Sequence, residues 1–315
     1  MAVDLSFCIV NTAQRELLVR GLDAVATERA ALERDGVSTE VLVLDNASGD
    51  GSVGAARAHA AVDEVIVNDR RRGKGENDTL LLQRARGTYA LLLNEDSELQ
   101  PGATADLLRA LREDESAGAA GARLLRPDGT PQASAWRFPT AGTALAGALF
   151  LHRIVTVQSK GEATRPVDWA QSAALLVRTT AAAQIGWFDP MFFVYSDEVD
   201  FCKRLREAGW ITLFVPTAVA VHHEQLSTGA VPEKRIVELS RNRDRYMRKH
   251  HSRASAWAVR WLTAYTYLVR SLVAVVLPGH DPKRYRRHVS ATLRPEEGEG
   301  LREAAYEHNK GGARL

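Results

Sequence analysis

At 315 residues, 45% hydrophobic and 25% charged, the chain has ordinary globular composition and room for one large domain or one domain with an appendage. Low-complexity runs and internal repeats are absent, and the two cysteines, Cys8 and Cys202, stand far apart in apolar contexts, which points to buried free thiols in a reducing compartment and away from a disulfide. The net charge of +2 is unevenly spread: residues 234–294 carry 15 Lys and Arg against 3 Asp and Glu, leaving residues 1–233 near −8, an asymmetry that suggests an anionic partner such as lipid headgroups or nucleic acid.

No basic stretch precedes the first apolar run, so no signal peptide is expected. Leu5 to Val10 reads as a buried strand, and Glu16 to Leu32 as a helix. Glu40 to Leu44 is a second strand ending on the Asp45-Asn46 turn. A helix over 52–61, a strand over 64–67, a helix over 79–86 and a strand over 89–93 follow. This alternation predicts an α/β fold, a mostly parallel sheet with helices on both faces. Functional loops then belong at the carboxyl ends of the strands, where Asp45 and Asp96 fall.

Pro101 to Leu111 reads as a helix, Arg123 to Gly129 as strand and turn, and Trp169 to Arg178 as a strand. Residues 133–166 give a mixed signal, with an apolar segment from Thr143 to Leu151. Val199 to Ala208 is helical and ends at Gly209, a C-cap residue. Ile211 to Val215 is a strand that Pro216 is expected to stop.

From Glu233 to Pro278 the pattern is helical. Trp257, Trp261, Tyr265, Leu268 and Leu272 recur every three to four residues on one face. Arg260 and Arg270 interrupt the run, so a membrane-spanning helix is not expected. Two readings stay open, a helix lying on a membrane surface and a helix packed on the protein's own core. Glu296 to Leu315 reads as a loose polar tail. The expected division is a catalytic domain over 1–232, a basic amphipathic helical extension over 233–294 and a tail over 295–315.

Four stretches carry chemistry: Asp45-Asn46-Ala47-Ser48-Gly49-Asp50, Asn94-Glu95-Asp96, Asp197-Glu198-Val199-Asp200, and His222-His223. Carboxylate oxygens and one imidazole suit a divalent cation that holds a diphosphate, while a separate carboxylate serves as a base. Each stretch also has a structural reading. Asx side chains cap turns, Glu98 and Asp200 favour helix starts, and adjacent histidines on a strand face opposite ways, so at most one reaches a site. Arg70 to Gly75, which includes Lys74, is either a solvated basic loop or a diphosphate contact. No Gly-any-Gly-any-any-Gly follows the first strand, which argues against a dinucleotide oxidoreductase.

The order of these stretches, together with Arg126-Pro127-Asp128-Gly129-Thr130, Trp169, Ile185-Gly186-Trp187-Phe188-Asp189, Arg204 to Trp210 and Ser227-Thr228, resembles the family 2 glycosyltransferases, and within them the bacterial rhamnosyltransferase-like branch. The resemblance implies a GT-A nucleotide-sugar-binding fold and inverting transfer of a sugar, rhamnose in that branch, to a hydroxyl acceptor, a lipid-linked or cell-envelope glycan. It implies a divalent cation, Mg2+ or Mn2+, on Asp96 and His222. Asn11, Asp45, Asn46, Lys74 and Asn94 then contact the nucleotide or its diphosphate. The acid pair is reversed relative to the family, so the base maps onto Glu198, with Asp197 open as its alternative. A cytoplasmic enzyme is expected, peripheral on the inner face of the cell membrane if the basic extension is the surface-lying helix, and a nucleic-acid partner is not expected. A sugar nucleotidyltransferase and a non-catalytic nucleic-acid or membrane-binding protein are the competing readings.

Overall fold

The computed structural model describes residues 3–224, 232–277 and 279–312. Its elements, in chain order, are β1 (Val3–Asn11), α1 (Arg15–Arg34), β2 (Thr39–Asp45), α2 (Ser52–Ala58), β3 (Glu64–Val67), α3 (Lys74–Arg84), β4 (Gly87–Asn94), β5 (Ser97–Leu99), α4 (Ala103–Glu113) and β6 (Ala117–Leu125). There follow β7 (Pro131–Gln132), β8 (Ala135–Trp136), α5 (Ala141–Ala148), α6 (His152–Val155), β9 (Arg165–Val167), β10 (Trp169–Ala170), β11 (Ala174–Arg178) and α7 (Thr179–Gln184). The last are α8 (Asp197–Glu207), β12 (Ile211–His222), α9 (Pro232–His250), α10 (Arg253–Val273), α11 (Pro282–Leu293) and α12 (Leu301–Gly312).

The chain divides into two compact units. The first comprises residues 1–136, 158–190 and 198–227. Its sheet runs β3-β2-β1-β4-β11-β6-β12-β5. The first four strands are parallel, as the strand–helix alternation predicts. β11 then runs antiparallel to both β4 and β6, while β6 and β12 are parallel to each other. Leu5, Phe7 and Ile9 of β1 share one pleat face and enter a core with Leu18, Leu22 and Leu107, which ties α1 and α4 to the sheet.

β12 departs from expectation. It passes through Pro216 and reaches His222, with a register irregularity between Val215 and Val219. A proline cannot donate to a ladder, and a bulge is where a strand tolerates it. β6 begins at Ala117, earlier than the pattern indicates. Its Ala- and Gly-rich start has weak strand propensity, and Gly121 is required by close packing: a Cβ there would lie 2.4 Å from that of Ala170.

The second unit comprises residues 137–157, 191–197 and 228–315. In it α9 carries buried Ile236, Val237, Tyr246 and Met247. Arg241 reaches both carboxylate oxygens of Glu303 at 2.9 Å and the Gly298 carbonyl at 2.9 Å. The segment read as a loose tail is therefore helical in α12 and is held to α9 by a buried guanidinium. Asn242 Nδ2 donates to the Val194 carbonyl at 2.7 Å. His288 of α11 stacks on Tyr267 of α10 with centroids 4.1 Å apart.

Candidate active site

The parallel register of the first unit sets Asn11 beside Asp45 and Val10 beside Asn94. Three polar residues thus stand side by side at the carboxyl ends of β1, β2 and β4, where open α/β sheets bind ligands. Asn11 Nδ2 donates to Asp45 Oδ2 at 2.9 Å and to Ser48 Oγ at 3.0 Å, and the Ser48 N–H donates to Asp45 Oδ1 at 3.0 Å. Ala13 and Ala47, on the two flanking loops, hold positive φ, a conformation non-glycine residues seldom adopt.

Asn46 serves a different purpose. Its amide nitrogen donates to the Arg72 carbonyl at 3.1 Å and its oxygen accepts from the Arg72 N–H at 2.8 Å. Both ends of the side chain therefore secure the basic loop. Lys74 opens α3, and its ammonium donates to the buried Asp78 carboxylate at 2.7 Å. Arg71 is half-buried and feels the charge of Asp45; burial pulls its guanidinium below its ordinary value more than Asp45 raises it.

Asp96 lies in the short turn between β4 and β5. Antiparallel pairing of β5 with β12 places His222 opposite Ser97, and the His223 N–H donates to the Asp96 carbonyl at 3.0 Å. His222 Nε2 is then 3.3 Å from Asp96 Oδ1, and both side chains are buried. His223 turns the other way and meets Glu98 at 2.7 Å, as alternation along a strand requires.

On the far side of the His222 ring, Nδ1 lies 3.2 Å from Gln132 Oε1. An amide oxygen only accepts, so the ring proton belongs on Nδ1. In the neutral ring the Nε2 lone pair then faces Asp96, with Asn94 Nδ2 at 3.5 Å. The other oxygen, Asp96 Oδ2, is buried with no hydrogen-bond partner among the described residues. Two electron-rich atoms turned on each other, beside an orphaned carboxylate oxygen, are an arrangement that a cation satisfies. Among the described residues no cluster of three His, Cys, Asp or Glu could hold a metal. Among the described residues, Asp96 and His222 are the two side chains so arranged. Beside them, burial and then the Asp96 charge push Glu95 up to about 8.

Gln132 was not legible in the sequence. Its signal is indirect: the Arg126 to Thr130 turn folds β7 back on β6 and sets Gln132 opposite Leu124.

Tyr195 and Ser196, two consecutive residues with positive φ, precede Asp197 and Glu198 at the start of α8. Asp197 is fully buried, whereas Glu198 is partly exposed and has no hydrogen bond or ion pair among the described residues. Asp200 is buried against Arg204 at 2.7 Å, a structural role. Ser227 and Thr228 lie outside the described residues.

A glycosyl transferase family 2 model matches residues 6–156. The chain is 29% identical over 271 residues to N-acetylglucosaminyl-diphospho-decaprenol L-rhamnosyltransferase of Mycobacterium tuberculosis, covering 80% of this chain and 86% of that relative. These likenesses support a family 2 glycosyltransferase. A shorter stretch of 57 residues is 35% identical to rhamnosyltransferase WbbL of Escherichia coli, covering 18% of this chain and 22% of that one, so this chain is rhamnosyltransferase-like. It is a glycosyltransferase. Among solved structures, the mannosyltransferase PcManGT from Pyrobaculum calidifontis, in complex with GDP-Man and Mn2+, superposes with a TM-score of 0.58 at 16% identity over 92% of this chain and 84% of that one. GalNAc-T7 with UDP, GalNAc and Mn2+ gives 0.57 at 14% identity over 93% of this chain and 56% of its own. The enzyme accordingly has the GT-A fold.

Proposed function

We propose that this enzyme moves rhamnose from a nucleoside diphosphate sugar to a hydroxyl of a lipid-linked or cell-envelope glycan, with a divalent cation, Mg2+ or Mn2+, on Asp96 and His222. The observation that carries the cation is the His222 ring, turned by Gln132 so that its Nε2 lone pair meets the Asp96 carboxylate. The sugar and acceptor are supported by the mycobacterial relative, whose name specifies L-rhamnosyl transfer and a diphospho-decaprenol acceptor. Buried free Cys8 and Cys202 suit a cytoplasmic enzyme.

The cation would supply Lewis-acid stabilisation of the departing diphosphate. The protein's own residues do the rest. Asn11 and Asp45 hold the strand-end turn against which the nucleoside rests. The loop from Arg70 to Lys74 is braced by Asn46, and its cationic heads favour the diphosphate. Glu198, with a solvent-reachable carboxylate that is unbonded among the described residues, accepts the acceptor hydroxyl proton. Attack from the face opposite the diphosphate inverts the anomeric carbon. Buried Asp197 anchors the helix start that positions Glu198.

A thermal-shift screen of nucleoside diphosphate sugars, with and without Mn2+, tests the donor assignment. A donor present at about 100 times its Kd adds about 2.7 kcal/mol to stability, so the rhamnosyl nucleotide with Mn2+ should give the largest rise. A rise with nucleoside triphosphates alone, and none with any nucleotide sugar, would instead favour nucleotidyl transfer.

A further inference from the structure

α10 turns its apolar side to solvent. Between Trp257 and Leu272 its exposed residues are Trp257, Trp261, Tyr265, Leu268 and Leu272, and none is charged. The apolar run continues through residues 275–277, with Val276 79% exposed. A second apolar group comes from α5, α6 and the turn between them, where Leu149 is 60% and Ile154 76% exposed. α5 packs on α10, and the Arg270 guanidinium lies 6.0 Å from the Phe150 ring centroid, so the two groups adjoin. Soluble proteins rarely leave so large an apolar patch open unless it meets a partner or a membrane.

The charge around it identifies the occupant. Residues 141–155, 253–273 and 282–293 together hold eight Lys and Arg and no Asp or Glu. On α11, Lys283, Arg284 and Arg286 are exposed and make no ion pair among the described residues. Other cations are paired: Arg260 and Arg287 meet Asp244 and Glu233 of α9, and Arg241, Arg245 and Arg248 of α9 pair with Glu303, Glu296 and Asp244. The basic excess of residues 234–294 is therefore partly internal, and its free part lies beside the apolar face along the chain. A second copy would bring like cations against each other. An anionic bilayer complements both the charge and the apolar side chains, because Trp and Tyr favour the headgroup level and basic residues are drawn to anionic lipid. No described helix is long and apolar enough to cross a membrane, so α10 would lie in the interface plane.

We infer that residues 145–155 and the Trp257 to Leu277 face form one surface that docks on anionic lipid, with Lys283, Arg284 and Arg286 at its rim. The surface deepens the reading of a lipid-linked acceptor, but lipid binding needs neither donor nor acceptor and is tested apart from transfer. The full chain is co-sedimented with vesicles of phosphatidylcholine containing phosphatidylglycerol, and with phosphatidylcholine alone. The anionic vesicles should bind it more tightly, and about 1 M salt should weaken that binding, since the Debye length falls to about 3 Å. Ile154→Asp and Trp261→Asp, at exposed positions that spare the fold, should each weaken binding about tenfold or more, a difference of about 1.4 kcal/mol or more. Lys283→Glu with Arg284→Glu should remove the preference for anionic lipid. Tyr306→Asp, exposed on α12, should leave binding unchanged. Equal binding to both vesicles, no binding to either, or a dimer that Trp261→Asp dissociates in the absence of vesicle binding would overturn the inference.

Discussion

Two side chains decide how the proposed chemistry divides. Glu198→Gln keeps the shape of the side chain and removes its basicity. It should lower kcat by about 10² to 10⁴ while donor affinity, read by thermal shift, hardly moves. Asp197→Asn should act mainly on folding, because its carboxylate is fully buried. A deeper loss of kcat in a well-folded Asp197→Asn would exchange the two roles. Gln132→Leu should leave the fold intact but release the His222 ring, weakening Mn2+ affinity about 10- to 100-fold when bound Mn2+ is titrated directly. Unchanged Mn2+ affinity would show that Gln132 does not orient the ligand. Asp45, Asp96 and His222 stood out as candidates because the order of the motifs resembles the family, whereas residue type alone left a structural reading open for Asp45 and for the histidine pair. Gln132 did not stand out, since a lone glutamine on a two-residue strand carries no pattern and acquires its place only when β7 pairs with β6.

Strand and helix positions show the same split between local and tertiary causes. The early strands and α1 follow from apolar periodicity, which registers burial directly. α3 starts five residues before the expected position, because the Lys74 to Asp78 pair and buried Asn77 and Asp78 make a polar first turn that resembles loop. α12 was hidden for a related reason, as its anchor is an ion pair to Arg241 and not an apolar stripe. Arg241→Met should therefore destabilise the second unit by about 3 to 5 kcal/mol, since Glu238 and Glu303 lose a buried partner; a melting temperature equal to wild type would contradict this. pH acts on α11. Burial first, then Arg243, Arg284 and Arg270, lower His288 to about 4, below its ordinary value near 6.5. The unfolded chain thus binds the proton more readily, and stability from this group is full above about pH 6.5 and falls as pH drops toward 4. The loss should be on the order of 1 to 2 kcal/mol after solvent screening. His288→Phe, which retains a ring against Tyr267, should show a smaller decline in melting temperature between pH 7 and pH 5 than wild type.

For the whole molecule, the alternation of strands and helices made the parallel half of the sheet readable, and with it the edge where the site forms. The antiparallel insertion of β11 and the reach of β12 to His222 were not readable, because both depend on pairings between distant segments. Yet those pairings bring His222 to Asp96, residues separated by more than a hundred positions, and so complete the proposed cation site. The most direct test of the central claim is turnover of a nucleoside diphosphate sugar by wild type and Asp96→Ala, with and without a chelator. The arrangement around Asp96 predicts that folded Asp96→Ala is inactive, and that chelated wild type is silent until Mn2+ or Mg2+ is restored. Full turnover by Asp96→Ala, or by wild type in excess chelator, would contradict it.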